Sequence, residues 1–433
     1  MKCMSPTHSA LTAFDTSESF ANSLDSVDPL ADYRDQFHIP QRDGKPLIYL
    51  CGNSLGLQPK TTRAAVDEVL DVWAEFAVDA HFEGAHPWYP YHEFLRDAAA
   101  RLVGAQPREV VMMNGLTVNL HLLMASFYHP TATRYKILME HAAFPSDTYA
   151  ARTQLAVNSF DPDKGLMIVS PRAGEHLIRD DDIIATLDEH GDSIALVLIG
   201  AVNYFTGQLF DLPRITQAAH DRGCVVGFDC AHAAGNIPLQ LHDCGADFAA
   251  WCTYKYLNSG PGSVAGAFVH ERHVKNVELP RFGGWWGNDP KTRFRMHLEP
   301  EFKPVESADA WQLSNPPILS MAAVRASLEV FDKVGIATLR KKSEQMTMYF
   351  DRLLAELPPG NVEITTPREI HRRGCQFSIL AHQQPRELQR RLHAAGVVAD
   401  FREPNVIRVA PVPLYNSFHD IWRFVQILRE AAK

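Results

Sequence analysis

The residues of this chain best placed to do chemistry are Asp229 and Lys255, in the segments GFDCAHAAGN (Gly227 to Asn236) and WCTYKYLNSGPG (Trp251 to Gly262). Asp229 closes an apolar run that reads as a strand, where side chains of an open parallel sheet meet the ligand crevice. A carboxylate there can hold a cation. Lys255 follows a second strand-like run with Tyr254 and Tyr256 beside it, and aromatic neighbours desolvate an amine and so make it nucleophilic. Taken singly, the lysine reads as a surface residue and the aspartate as a helix cap. Taken together they suit pyridoxal phosphate, which needs a lysine to form a Schiff base and an acid to hold its pyridinium nitrogen. A phosphate cradle is also required. NGLTVN (Asn114 to Asn119) passes from strand to helix, so the Leu116 and Thr117 amides and the Thr117 hydroxyl would meet an anion at a helix N-terminus. FPSD (Phe144 to Asp147) opens another helix and offers an aromatic ring to lie over a cofactor.

The hydrophobic pattern supplies elements to hold these residues. Helical spacing runs from Lys60 to Leu102, interrupted by an irregular segment from His81 to Tyr91. Strand-like runs follow at Val110 to Met113, Tyr135 to Met139, Met167 to Val169, Ile194 to Ile199 and Cys224 to Phe228. Helical runs at Val118 to Phe127, Thr148 to Leu155, Asp181 to Glu189 and Arg214 to Arg222 alternate with them. This rhythm predicts an α/β fold with a mainly parallel sheet covered on both faces. Phe248 to Thr253 and Val264 to Val269 read as two further strands. After Pro317 a long helix from Ile318 to Leu357 leads into short strands at Gln376 to Leu380, Val397 to Ala399 and Val406 to Val409, a helix at Pro385 to Ala395, and a terminal helix from Ser417. The expected organisation is residues 1–59 as an arm and joining segment, 60–316 as a large domain and 317–433 as a small α+β domain.

Composition removes other classes. The chain has 433 residues, enough for two or three cores at ~150 residues each. Its net charge of -9 would repel a phosphate backbone, so nucleic acid is not an expected partner. The 7 cysteines are odd in number and form no CxxC pair, so neither a disulfide framework nor a zinc knuckle is expected, and a reducing cytoplasm fits. The first thirty residues, rich in Ser, Thr and Asp, read as a flexible arm, and the longest apolar run, Ile194 to Val202, is too short to cross a membrane. Two motifs imitate other sites. Gly52, Ser54 and Gly56 spell the nucleophile elbow GxSxG, but the strands that should precede an elbow are missing, so the serine α/β-hydrolase is the weaker alternative. The glycines are expected to permit a tight turn, with Ser54 as a substrate contact. Gly260, Gly262 and Ala265 match a dinucleotide fingerprint, yet a strand follows where a helix is required.

CGNSLGLQPK (Cys51 to Lys60), NGLTVNLHLLM, AFPSD, YFTGQ (Tyr204 to Gln208), GFDCAHAAGN, WCTYKYLNSGPG, SNPPIL (Ser314 to Leu319) and IRVAPVPLYNSFHD (Ile407 to Asp420) together resemble the kynureninase family. The similarity extends over nearly the whole chain after about residue 30. It implies a pyridoxal-phosphate hydrolase of fold-type I, with a mainly parallel seven-stranded sheet, that cleaves the Cβ–Cγ bond of kynurenine or 3-hydroxykynurenine. A cysteine desulfurase or aminotransferase of the same fold is the alternative. Carried over by motif, Lys255 resembles the Schiff-base lysine and Asp229 the partner of the pyridine nitrogen, while Phe144 would stack on the ring. Leu116, Thr117 and Tyr254 would hold the phosphate, with Trp285 and Asn315 reaching the pocket from the second subunit of a homodimer. Asp147 and His232 would complete the cofactor network, Tyr254 is the candidate for proton transfer, and Arg408 resembles the fork for the substrate α-carboxylate. His81 and Asn315 match members that take the 3-hydroxy substrate. One departure is Gly200, where family members often carry a serine.

Overall fold

The computed structural model describes residues 14–276 and 278–433. Seven strands, β1 (Val110–Met112), β2 (Lys136–Glu140), β3 (Leu166–Val169), β4 (Ile194–Gly200), β5 (Val225–Asp229), β6 (Phe248–Trp251) and β7 (Gly266–Val269), form one sheet in the order β1-β7-β6-β5-β4-β2-β3. Strands β2 to β6 are parallel, and β7 runs against both β6 and β1. The unbroken apolar run of β4 is explained by burial on both faces: Leu196 and Leu198 enter one core cluster while Val197 and Ile199 enter the other.

Helices α1 (Glu18–Ser26), α2 (Thr61–Phe76), α3 (Glu93–Val103), α4 (Leu116–Phe127), α5 (Pro145–Val157), α6 (Asp180–His190) and α7 (Leu212–Asp221) come next in chain order. Of these, α4 follows β1, α5 follows β2, α6 follows β3 and α7 follows β4, so each loop at a strand's C-terminal end opens a helix. Beyond them, β8 (Val362–Ile364), β9 (Phe377–Ala381), β10 (Asp400–Arg402) and β11 (Val406–Val409) form an antiparallel sheet in the order β8-β9-β11-β10. Its own core joins Met346 and Phe350 to Phe377, Ile407 and Phe424.

Two expectations are corrected. The helix expected from Ile318 to Leu357 is two, α8 (Ile318–Val334) and α9 (Ile336–Ala355), because Gly335 takes φ +79, a left-handed conformation that glycine enters without a Cβ penalty. The expected strand at Val397 to Ala399 is present as Val397–Val398 and pairs in parallel with Ile48–Tyr49. The described part of the expected arm is ordered. Ser17 caps α1 by accepting from the Phe20 amide at 3.2 Å, and Ala21 and Leu24 enter the same core as Phe418 and Ile421 of α11 (Phe418–Ala431). The first thirteen residues of that arm lie outside the described residues. Helix α10 (Pro385–Ala394) completes the small-sheet side.

Candidate active site

Parallel strands deliver their last residues to a common edge, and Asp229 stands there at the end of β5, in register with Gly200 at the end of β4. Asp229 Oδ1 accepts from the Ala231 amide at 2.8 Å, which fixes the carboxylate at the strand end. Lys255, 8% exposed, follows β6 in the adjoining loop. Its Nζ lies 3.1 Å from His232 Nε2 and 5.6 Å from the centroid of the Phe144 ring. Phe144 is the N-cap of α5, and Pro145 at the first helical position sets the entry of the chain. Tyr204 meets Phe144 edge to face at 5.3 Å. The starts of α4 and α5 are tied together by a hydrogen bond of 2.9 Å between the hydroxyls of Thr117 and Ser146. The first amides of a helix have no intrahelical acceptor, and a Cβ built on Gly115, the N-cap of α4, would meet nothing within 4 Å, so there is space beside the start of α4, where Leu116 and Thr117 are half-buried.

Electrostatics divides the cluster into proton holders and acceptors. Burial, then the charge of Asp229 and a hydrogen bond shared with it, push the Asp147 carboxyl well above the usual carboxylate range. Glu140, at the end of β2, is pushed up to about 8 mainly by burial and also by the Asp229 charge. Burial first, and then the Lys255 charge, hold His232 well below its ordinary value, which favours a neutral imidazole beside Lys255 Nζ. Asp147 Oδ1 and His232 Nδ1 are buried without a partner among the described residues. Such unspent polar atoms, an amine and the space at the start of α4 fit pyridoxal phosphate. Tyr254, beside Lys255, is pushed far above the ordinary phenol value by burial and by neighbouring Cys252. At Gly200 a Cβ would lie 2.9 Å from Glu140 Oε1, which already accepts from the Gly200 amide at 3.1 Å. A serine there would require that carboxylate to swing away.

Arg408, 1% exposed on β11, donates through Nη1 to the Tyr204 carbonyl at 2.7 Å and forms an ion pair with Asp400. Burial lowers it to about 10. Tyr204 therefore connects Arg408 to Phe144 and the Lys255 group, although the sequence reading assigned it no role; its signal was the YFTGQ motif. Ser54 sits in the turn closed by the Ser54 and Leu55 amides on the Cys51 carbonyl, and Cys51 bridges to Ala410 beside β11. The two glycines flanking Ser54 are needed for close approach in addition to the expected turn. A Cβ on Gly56 would lie 2.3 Å from the Lys255 carbonyl oxygen, and one on Gly52 would lie 2.3 Å from the Tyr415 hydroxyl.

His81, Trp88, Trp286 and Asn315 line a separate cavity of about 480 Å³. Trp285 packs edge to face on Trp286 at 4.8 Å. Among the described residues no hydrogen bond or ring contact joins His81, Trp285 or Asn315 to Lys255 in the same chain. A group with metal-ligand character, Glu109, His242 and His270, has its ligand atoms within 4.8 Å of one another. Several of its ligand atoms already have partners. Glu109 accepts from the Gln106 and Glu271 amides and from His242, and His270 Nδ1 accepts from the Arg272 amide. Cys230, Cys252 and Cys375 are buried with thiols pushed up by burial, Cys375 to about 12, which is the opposite of a reactive thiolate.

Comparison with known proteins gives one consistent likeness. The family model described as the kynureninase C-terminal domain matches residues 339–428. The chain is 54% identical to a kynureninase of Myxococcus xanthus over 97% of this chain and 98% of that one. It is 51% identical to a kynureninase of Flavobacterium psychrophilum over 96% and 98%. Among solved structures, the cysteine desulfurase CsdA of Escherichia coli superposes with a TM-score of 0.74 at 16% identity, covering 94% of this chain and 98% of that chain. A C-DES variant with glycine covalently linked to its PLP cofactor superposes with a TM-score of 0.72 at 18% identity, covering 89% and 96%. At such identities these two show the fold, which is that of fold-type I pyridoxal-phosphate enzymes.

Proposed function

Since the chain belongs to the kynureninase family, we infer that it is a pyridoxal-phosphate hydrolase that cleaves the Cβ–Cγ bond of L-kynurenine or its 3-hydroxy form, giving L-alanine and the anthranilate. The observation that carries this reading is likeness over essentially the full length of both chains. When bound, the cofactor supplies an electron sink. The roles that follow are proposals about this chain's own residues. Lys255 carries the cofactor and moves the Cα proton of the substrate, a role supported by its contact with neutral His232. Asp229, with Asp147 beside it, holds the ring nitrogen. Leu116 and Thr117 receive the phosphate at the start of α4, and Phe144 covers the ring. Tyr254 retains its proton throughout the working pH range and is therefore suited to donate a hydrogen bond where negative charge develops. Arg408 takes the α-carboxylate, with Ser54 close to it.

Purified protein incubated with each kynurenine and followed by anthranilate fluorescence tests the reading, which fails if neither substrate is consumed. Lys255→Ala should form almost no product, whereas Tyr254→Phe should retain cofactor and lose turnover by roughly 100-fold. The protein is further proposed to act as a homodimer in the cytoplasm. Free cysteines among the described residues support a reducing compartment. Exposed Trp73, Phe82 and Phe294, at 57%, 62% and 55%, support a buried face between two copies that would bring Trp285 and Asn315 of one to the Lys255 group of the other, with His81 beside Asn315. His81 and Asn315 are both hydrogen-bonding groups, which favours the 3-hydroxy substrate. Relative kcat/KM for the two substrates decides that preference.

A further inference from the structure

Arg408 lies opposite Asp400 in the antiparallel register of β11 and β10, so both side chains project from one face of the sheet. They form an ion pair through Arg408 Nη2 and Asp400 Oδ2. The same Oδ2 also accepts from Arg402, from Nε at 3.2 Å and Nη2 at 2.9 Å. Both guanidinium groups sit against the Tyr204 ring, at 5.5 Å for Arg408 and 5.9 Å for Arg402. Arg408 Nη1 is committed to the Tyr204 carbonyl, and its Nε is buried without a partner. Two guanidinium charges therefore share a single carboxylate, and the fork expected to receive substrate is already half filled from within the chain.

Resting on the reading of Arg408 as the α-carboxylate fork, we propose that Asp400 is a resident carboxylate: it occupies Arg408 in the free enzyme, yields it to the substrate carboxylate, and retreats onto Arg402. A guanidinium that is 1% exposed cannot stand unpaired at low cost, so something must neutralise it before substrate arrives. Asp400 does this without being orphaned on displacement, because Arg402 already holds the same oxygen. The charge count gives the direction of each effect. With one carboxylate between two cations, the site attracts one more anion, and an amine without a carboxylate leaves the Arg408–Asp400 pair closed. Rejection of such amines thus comes from a competing internal group as well as from the missing contact. Asp400 acts through Arg408 and is a positioning residue.

Two single variants of the holoenzyme carry opposite expectations. Asp400→Asn removes the competitor, so KM for kynurenine and the dissociation constant of L-alanine should each fall on the order of tenfold, with kcat changed less than about twofold. Arg402→Gln removes the retreat, so both constants should rise on the order of tenfold. Binding of ethylamine, which lacks the carboxylate, should be unaffected by either. A purely structural Asp400 would raise KM in both variants; that result, or no change in both, overturns the proposal. Should Asp400→Asn fail to fold, Asp400→Ala takes its place with the same expected fall in both constants, and an unchanged or raised KM overturns the proposal. Arg408→Gln separates the two levels: if it leaves alanine binding intact, the fork reading falls and takes the role of Asp400 with it, whereas weakened binding keeps that reading whatever Asp400 does.

Discussion

Gly56 carries a lesson about motifs at the scale of single residues. GxSxG in isolation suggests a nucleophile, but the last glycine is required because its α-carbon rests on the backbone that carries Lys255. Replacing it with alanine would set a Cβ 2.3 Å from the Lys255 carbonyl and 2.2 Å from Asn258 Oδ1. Since neither backbone nor a buried asparagine can give way freely, Gly56→Ala should cost about 1–3 kcal/mol in denaturant unfolding and weaken cofactor retention as well. An unchanged midpoint with normal retention would show that the loop relaxes. Asp229, Lys255, Phe144 and Thr117 were legible in the sequence because Asp229 and Lys255 stand where an apolar strand gives way to a loop, and Phe144 and Thr117 where a helix begins. Asp400, Arg402 and Glu140 were not, because each lies at a short strand's edge with no local signature. The partners that give them meaning are reached only by strand pairing.

The elements show where a site's rigidity comes from. Strand β6 is preceded by Asp247, whose carboxylate accepts from His220 at 2.9 Å, His273 at 2.8 Å and the Val226 amide at 2.7 Å, with Arg272 completing the set. Burial would raise this carboxyl, but the hydrogen bonds from His220, His273, Arg272 and Val226 outweigh it and hold it far below its usual 3.8. A group depressed in the folded state contributes stability above its unfolded pKa and loses it as pH falls below that value. Asp247→Asn should therefore be less stable than the parent by about 2 kcal/mol near neutral pH, and the two unfolding midpoints should converge below pH ~4. A constant gap across that range would exclude the charge as the cause. The alternation of strand and helix was legible here from hydrophobic periodicity, to within a residue or two at most boundaries. The break at Gly335 was not, since an isolated glycine in an apolar helical pattern fits a continuous helix equally well until packing fixes its backbone.

For the whole molecule, long-range pairing decides which segments belong together. Lys342 of α9 pairs with Asp28 at 2.7 Å, both side chains nearly excluded from solvent, and so fastens the N-terminal segment to the small-sheet side. Asp28→Ala would leave a buried ammonium unpaired and should cost about 3 kcal/mol, measured by thermal or urea unfolding. At the same scale, Phe294→Asp on the exposed apolar face should yield a monomer in light scattering with little activity, if the active site is completed by a second copy. An active monomer would reject that assembly. The sequence by itself determined the fold class and the family, and nominated the lysine, aspartate and helix starts proposed to hold the cofactor, because these depend on periodicity and on residue types at loop ends. Only the tertiary structure decided that Glu140 crowds Gly200, that Tyr204 joins Arg408 to the Lys255 group, and that Arg408 already has a carboxylate. Those facts depend on which strands lie side by side, and the pairing energy comes from surfaces far apart in the chain.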